Sequence, residues 1–290
     1  MTRASAISRL LPAVFAAAFA VNAHAFPADM SMDMMQAHQG MNPLELVATQ
    51  TPEPPKFDLE QVREQAAKGV PSAQFALGEA YETGTGGLKK DAAQAVHYYE
   101  LAAKNGNTMA MTNLAACYMD GRGVPQNLVK AAELLESAAM KGDIYAAFNL
   151  SNAYFEGYGV KQDLGLAFSY ALEAAQGGLL DAQTLVGYFY LQGIGTKPNA
   201  EQALAWFKKA AERGDGEASE YVGAFHENGI ATKADAAEAL KWYKKACDAG
   251  RKSACSSVER VEAALKAAPG TPTAGTDADG QAIKKEPAGK

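Results

Sequence analysis

The stretches Ala203–Gly214, ALAWFKKAAERG, and Ala239–Gly250, ALKWYKKACDAG, lie 36 residues apart and agree at seven of twelve positions. Agreement of that length inside one chain marks an internal repeat, and a repeat decides the fold before any single motif does. Working outward, the closing glycine recurs at Gly106, Gly142, Gly178, Gly214 and Gly250, with Gly69 one residue out of step. The fourth position after each of the six glycines is alanine: Ala73, Ala110, Ala146, Ala182, Ala218 and Ala254. Eight residues after them stand Leu77, Leu114, Leu150, Val186, Val222 and Val258, and twelve after them Tyr81, Tyr118, Tyr154, Tyr190 and then His226. These offsets fall on one helical face, with the small alanines allowing helices to approach closely.

A second glycine row, Gly84, Gly121, Gly157, Gly193 and Gly229, stands where that helix should end, because glycine accepts the left-handed conformation of a helix C-terminus. Asp91, Asn127, Asp163, Asn199 and Asp235 follow; all are favoured N-cap residues, so a second helix starts there. It carries Ala95, Ala131, Ala167, Ala203 and Ala239, and three residues later the bulky Tyr98, Leu134, Tyr170, Trp206 and Trp242. Each repeat is therefore a helical hairpin.

From about residue 66 to 258 the pattern A-x3-LG-x2-Y-x2-G-x-G-V-x2-D-x3-A-x2-WY-x-KAA-x2-G resembles the Sel-one-like repeat (SLR) relatives of the tetratricopeptide repeat. The chain departs from it at Gly86-Gly87-Leu88, which has an extra residue, at Ala231 in place of the second loop glycine, and at His226 in place of tyrosine. These departures make the first and fifth repeats atypical, as terminal repeats often are. The resemblance implies an all-α fold: a right-handed α-solenoid of antiparallel helix pairs, about five 36-residue repeats plus capping helices. It also implies a binding scaffold.

The ends of the chain read differently. Arg3 and Arg9, an apolar run from Leu10 to Val21, and Ala23-His24-Ala25 form the pattern of a cleaved secretory signal over residues 1–25. The apolar run is too short for a spanning helix, which needs ~20 residues. A periplasmic or secreted protein beginning at Phe26 is the expectation. Without Arg3 and Arg9 it has 25 basic against 33 acidic residues, a net charge of −8, which repels nucleic acid and anionic lipid surfaces. Residues 26–56, with Pro43, Pro52, Pro54 and Pro55, read as a disordered leader, residues 57–266 as the solenoid, and residues 267–290 as a disordered tail. Helices at Phe57–Lys68 and Ser253–Ala264 are expected to cap the two ends.

Cys247 and Cys255 fall at the end of one helix and the start of the next, in an oxidising compartment, where their side chains could meet across a tight turn or remain two small buried thiols. The resemblance implies the disulfide, since the same interval in the secreted cysteine-rich branch of the family staples consecutive helices. Cys117 has no partner and reads as a packed free thiol.

Catalytic signatures are lacking: there is no S-x-x-K, G-x-S-x-G, H-E-x-x-H, C-x-x-C or phosphate loop, and Gly84-Thr85-Gly86-Gly87 occupies the turn that every repeat has. A non-enzymatic chain is expected. A cell-wall-directed, β-lactamase-like or penicillin-binding activity survives as an alternative by resemblance to some cysteine-rich members of the family. One other cluster could carry chemistry. Met30, Met32, Met34, Met35 and Met41, with Asp29, Asp33 and His38, present thioethers of the kind Cu(I) selects, which makes a copper-binding accessory protein a further alternative. A compositional accident, or an oxidation-sensitive docking segment, would give the same residues.

By the resemblance, the first helix of each hairpin lines the inner wall, at positions one step before and two steps after the packed leucine and glycine. Those offsets fall on Met109, Met119, Tyr145, Phe148, Asn152, Phe155, Tyr188 and Leu191, with Glu79, Glu82, Glu217, Glu220 and Glu227 towards the ends. An apolar, aromatic centre with acidic flanks is the expected partner-binding groove, taking an extended or helical segment of an envelope protein with basic ends. Alternatively, the rings pack among themselves.

Overall fold

The chain is described by a computed structural model covering residues 58–267. Among those residues there are twelve helices and no strand. In chain order they are α1 (Leu59–Ala67), α2 (Pro71–Thr83), α3 (Ala92–Lys104), α4 (Thr108–Asp120), α5 (Leu128–Ala139), α6 (Ile144–Glu156), α7 (Leu164–Gln176), α8 (Leu180–Gln192), α9 (Ala200–Ala211), α10 (Gly216–Asn228), α11 (Ala236–Asp248) and α12 (Lys252–Ala267). Even-numbered α2 to α10 are the first helices of the five repeats, and odd-numbered α3 to α11 the second. The chain divides into two units, Met1–Asp163 and Leu164–Lys290, with the boundary between α6 and α7.

The helices start and stop where the pattern places polar caps and glycines. Asp91, Asn127, Asn199 and Asp235 accept backbone N–H bonds at the starts of α3, α5, α9 and α11. Caps of this kind stabilise by about 1 kcal/mol each. The structure adds a second set of caps: Asn107, Asp143 and Asp215, each just after a repeat-closing glycine, cap α4, α6 and α10. At the other end, Gly121 closes α4 with φ +69°, a conformation other residues reach only at a cost.

Each unit has a core built from the alanine and leucine rows. Ala110, Leu114, Ala131 and Leu150 are buried in the first unit, and Ala182, Val186, Ala203, Ala218 and Val222 in the second. One residue after the bulky row, Tyr99, Leu135, Ala171, Phe207 and Tyr243 are buried at 0 to 3% exposure. Their rings explain the glycine of the Leu-Gly pattern. A Cβ on Gly78 would lie 2.5 Å from the Tyr99 ring, one on Gly187 2.7 Å from Phe207, and one on Gly223 2.8 Å from Tyr243. In the second repeat the corresponding pair is Ala115 and Leu135, both buried: a larger residue on one helix goes with a smaller one on the other.

A different constraint governs the second loop glycine. A Cβ on Gly123 would stand 2.2 Å from the Ala92 carbonyl oxygen, one on Gly159 2.0 Å from that of Leu128, and one on Gly195 1.9 Å from that of Leu164. Each loop thus lies directly against the start of the preceding repeat's second helix. Where the fifth repeat has Ala231, the backbone keeps the loop conformation, and Ala231 is the one non-glycine with positive φ (+54°) among the described residues.

At the C-terminus α12 packs on α11 through Ala239, Tyr243, Ala246, Ala254 and Val261. The Cys247–Cys255 disulfide ties the two helices, with Cα atoms 4.8 Å apart. Residues 1–57 and 268–290, and with them the secretory signal, the leader and the tail, lie outside the described residues. No helix among the described residues is long and apolar enough to cross a membrane.

Candidate partner-binding surface

The groove positions expected on the first helices of the hairpins differ in exposure, taken one unit at a time. In the first unit Met109 on α4 and Tyr145 on α6 occupy the same register, 36 residues apart, and are 43% and 52% exposed. Met119, Asn152 and Phe155 are half-buried. Phe148 is only 5% exposed. It adjoins the buried Ala146 and Ala147, at the margin between the packed stripe and the open face, and its ring belongs to the core. In the second unit Tyr188 is likewise closed over, at 7%, between buried Gly187 and Phe189, while Leu191 is half-buried. The eight positions therefore separate into an exposed pair, Met109 and Tyr145, two buried rings, and half-buried residues around them.

Four of the five acidic flanks turn out to be engaged. Glu82 accepts from the Tyr99 hydroxyl at 2.6 Å and from the Arg122 guanidinium, while the Asn113 amide donates to the same tyrosine oxygen at 3.3 Å. Arg122 also donates to Asp120 at 3.0 Å. At the other end Glu227 accepts from the Tyr243 hydroxyl at 2.8 Å and pairs with Arg260, contacts that hold its carboxyl below the usual range. Glu220, 7% exposed, accepts from Arg251 at 3.1 Å. These carboxylates join hairpins to their neighbours and are not free to meet a partner. Glu217 lies 3.6 Å from the same Arg251 guanidinium, which leaves half-buried Glu79 as the one flank without an ion pair among the described residues. Burial pushes the Glu79 carboxyl up, with Glu82 adding to it, and burial pushes Glu217 up although Arg251 opposes the shift. Asp181, in the register of Tyr145, is a third such group, pushed up by burial and by Asp215. The sequence signal for it was the same 36-residue offset.

Two other candidate side chains, Cys117 and His226, are buried. Cys117 is 2% exposed and burial pushes its thiol up to about 11, so it stays protonated and non-nucleophilic at neutral pH. His226 is 9% exposed, and burial, with Lys208 nearby, holds it below the ordinary histidine range. No group of three or more His, Cys, Asp or Glu residues able to hold a metal ion exists among the described residues. The copper candidates Met30, Met32, Met34, Met35, His38 and Met41 all lie outside them.

The Sel1 repeat model matches five consecutive segments, residues 71–107, 108–143, 144–179, 180–215 and 216–250. The chain belongs to the Sel1 repeat family. Its fold is accordingly an all-α repeat solenoid, and the family acts in general through protein–protein interaction. Among solved structures, c5321, a protective antigen present in uropathogenic Escherichia coli strains and displaying an SLR fold, is 33% identical with a TM-score of 0.66, over 68% of this chain and 42% of its own. A Sel1 repeat protein from Oxalobacter formigenes is 30% identical with a TM-score of 0.61, over 67% of this chain and 76% of its own. This Sel1 repeat chain thus spans less than half the length of c5321. None of the curated proteins matches it.

Proposed function

We propose that this Sel1 repeat protein is a non-catalytic scaffold of the cell envelope, periplasmic or secreted, that holds a segment of another protein against the first-helix face of its repeats. The observation that carries the reading is the pair Met109 and Tyr145, large apolar side chains 43% and 52% exposed in the same register of consecutive repeats. Large rings and thioethers held open on a rigid helix face are typical anchors of recognition. The envelope location rests on the secretory pattern of residues 1–25, and a relative that is a protective antigen is consistent with it. The low reactivity of Cys117 and the absence of a nucleophile–base pattern support a binding role over a catalytic one.

The test is crosslinking capture from an envelope extract with wild type, the Met109→Ala/Tyr145→Ala variant, and Val129→Ala as a control for an exposed apolar residue on a second helix. A partner retained by wild type and the control but lost from the double variant supports the assignment. Equal capture by all three overturns it.

A further inference from the structure

Three of the six exposed large apolar side chains among the described residues gather at two successive turns of the first unit. Met140, 76% exposed, closes α5, and Tyr145 stands in the first turn of α6; one repeat earlier Met109 holds the register of Tyr145 on α4. The repeat does not require these positions to be apolar. Asp181 and Glu217 occupy the register of Tyr145 in the fourth and fifth repeats, and Lys104, Gln176 and Glu212 that of Met140. Exposed apolar groups that the fold does not call for mark a contact surface.

The same turns carry positive charge. Lys104 and Lys141 are exposed and have no ion pair among the described residues. The carboxylates nearest to them in the chain are occupied: Asp143 caps α6 by accepting from the Tyr145 and Ala146 N–H groups, and Glu100 accepts from the Tyr118 hydroxyl at 3.1 Å. An apolar and cationic surface is complemented by an apolar and anionic segment. The chain contains one. Residues 26–41 hold five methionines, half of the chain's ten, together with Asp29 and Asp33 and no lysine or arginine. Thioethers pack well on aromatic rings and adapt to irregular surfaces. The connection is long enough to bring the two together. Helices α1 to α6 pack in succession, and five steps of about 8–10 Å total ~50 Å, whereas residues 42–58 span about 55–60 Å when extended.

We propose that residues 26–41 lie over the turns of the second and third repeats of their own chain, with methionines on Met109, Met140 and Tyr145 and with Asp29 and Asp33 facing Lys104 and Lys141. This rests on the reading of Met109 and Tyr145 as the contact pair and adds its regulation. A tethered segment acts at high effective concentration, so weak contacts suffice to cover the site. A partner then has to displace it, and its apparent affinity falls in proportion to the fraction of chains left uncovered.

The test uses the chain from Phe26 onward with the photocrosslinker p-benzoylphenylalanine in place of Tyr145, or in place of Val129 at the far end of α5 as a control. Irradiation should join position 145, and not position 129, to a peptide within residues 26–41. A mixture of isotope-labelled and unlabelled protein, read by mass spectrometry, should place both ends of the product in one chain. Asp29→Lys with Asp33→Lys should lower the yield about threefold or more, and adding Lys104→Glu with Lys141→Glu should restore it. No product with residues 26–41, equal yield at positions 145 and 129, products only between chains, or a yield indifferent to the charge changes in variants that melt like wild type overturns the proposal. The Asp29→Lys/Asp33→Lys variant should also capture more partner than wild type, and unchanged capture overturns the regulatory role. Capture that depends on Met109 and Tyr145 without the crosslink sinks this inference and leaves the scaffold reading standing. If the crosslink forms while capture is indifferent to that pair, the docking stands and the scaffold reading falls.

Discussion

Replacing Gly187 by alanine places a methyl group 2.7 Å from the Phe207 ring, closer than carbon atoms tolerate. The ring has nowhere to go: Phe207 is 0% exposed, stacked on Tyr221 at 4.4 Å and edge-on to Phe225 at 5.9 Å. Overpacking of this kind costs about 1–3 kcal/mol, against which alanine returns about 1 kcal/mol of helix propensity. Gly187→Ala alone should therefore destabilise by up to about 2 kcal/mol. Phe207→Leu alone should cost a similar amount through lost ring contacts and a small cavity. The second repeat shows how the two changes fit together, since Ala115 and Leu135 occupy these positions there and both are buried. Combined, Gly187→Ala and Phe207→Leu should recover much of the loss, giving a coupling energy of about 1–2 kcal/mol in favour of the pair. Urea unfolding of the four proteins of the cycle, followed by circular dichroism, measures it. Strict additivity of the single changes would refute the argument that the Leu-Gly position is small because of the aromatic opposite.

Ala231→Gly should raise stability by about 1 kcal/mol, because Ala231 holds φ +54° where its counterparts are glycines; an unchanged or lower melting temperature would contradict this. Reducing the Cys247–Cys255 bond should cost about 2–3 kcal/mol and loosen α12 before the rest of the second unit, read as faster amide exchange in α12 with little change in α8 and α9. Burial and Glu82 push the Glu79 carboxyl up in the folded chain, so the fold binds its proton more tightly than the unfolded chain does and pays for ionisation at neutral pH. Glu79→Gln should accordingly melt higher than wild type at pH 7. The gap should shrink as pH falls through the raised folded value and close below the ordinary glutamate range of about 4.5; a gap that is constant with pH would assign the effect to something other than charge.

The 36-residue period made the hairpins, their internal turns and the second-helix caps legible, because each depends on a residue type acting within its own few neighbours. What lay one step off the period was harder to read. The buried row Tyr99, Leu135, Phe207 and Tyr243 varies in size, and its logic appears only when the opposing helix is in place with its glycine or alanine. The caps Asn107, Asp143 and Asp215 do not form a full row, because two of the five repeats lack them: Val70 and Leu179 cap nothing through their side chains. For the expected groove, family offsets give a helix and a register but not the depth of each side chain. Met109 and Tyr145 stand clear, whereas Phe148 and Tyr188 fold down onto the packed stripe. Ion pairs hid from the sequence for the same reason, since Glu82 meets Arg122 and Glu227 meets Arg260 only across neighbouring hairpins, at separations of 40 and 33 residues.

The seat formed by Gly123 beneath Ala92, by Gly159 beneath Leu128 and by Gly195 beneath Leu164 is the same joint made three times. It relies on a backbone carbonyl and a missing side chain, both independent of whatever else a hairpin displays. A gene segment encoding one period could be copied or lost in frame and the new neighbours would still find a fitting seam, so such a chain can change its length over evolution without reinventing its joints. The faces between the seams are then free to diversify, one hairpin at a time.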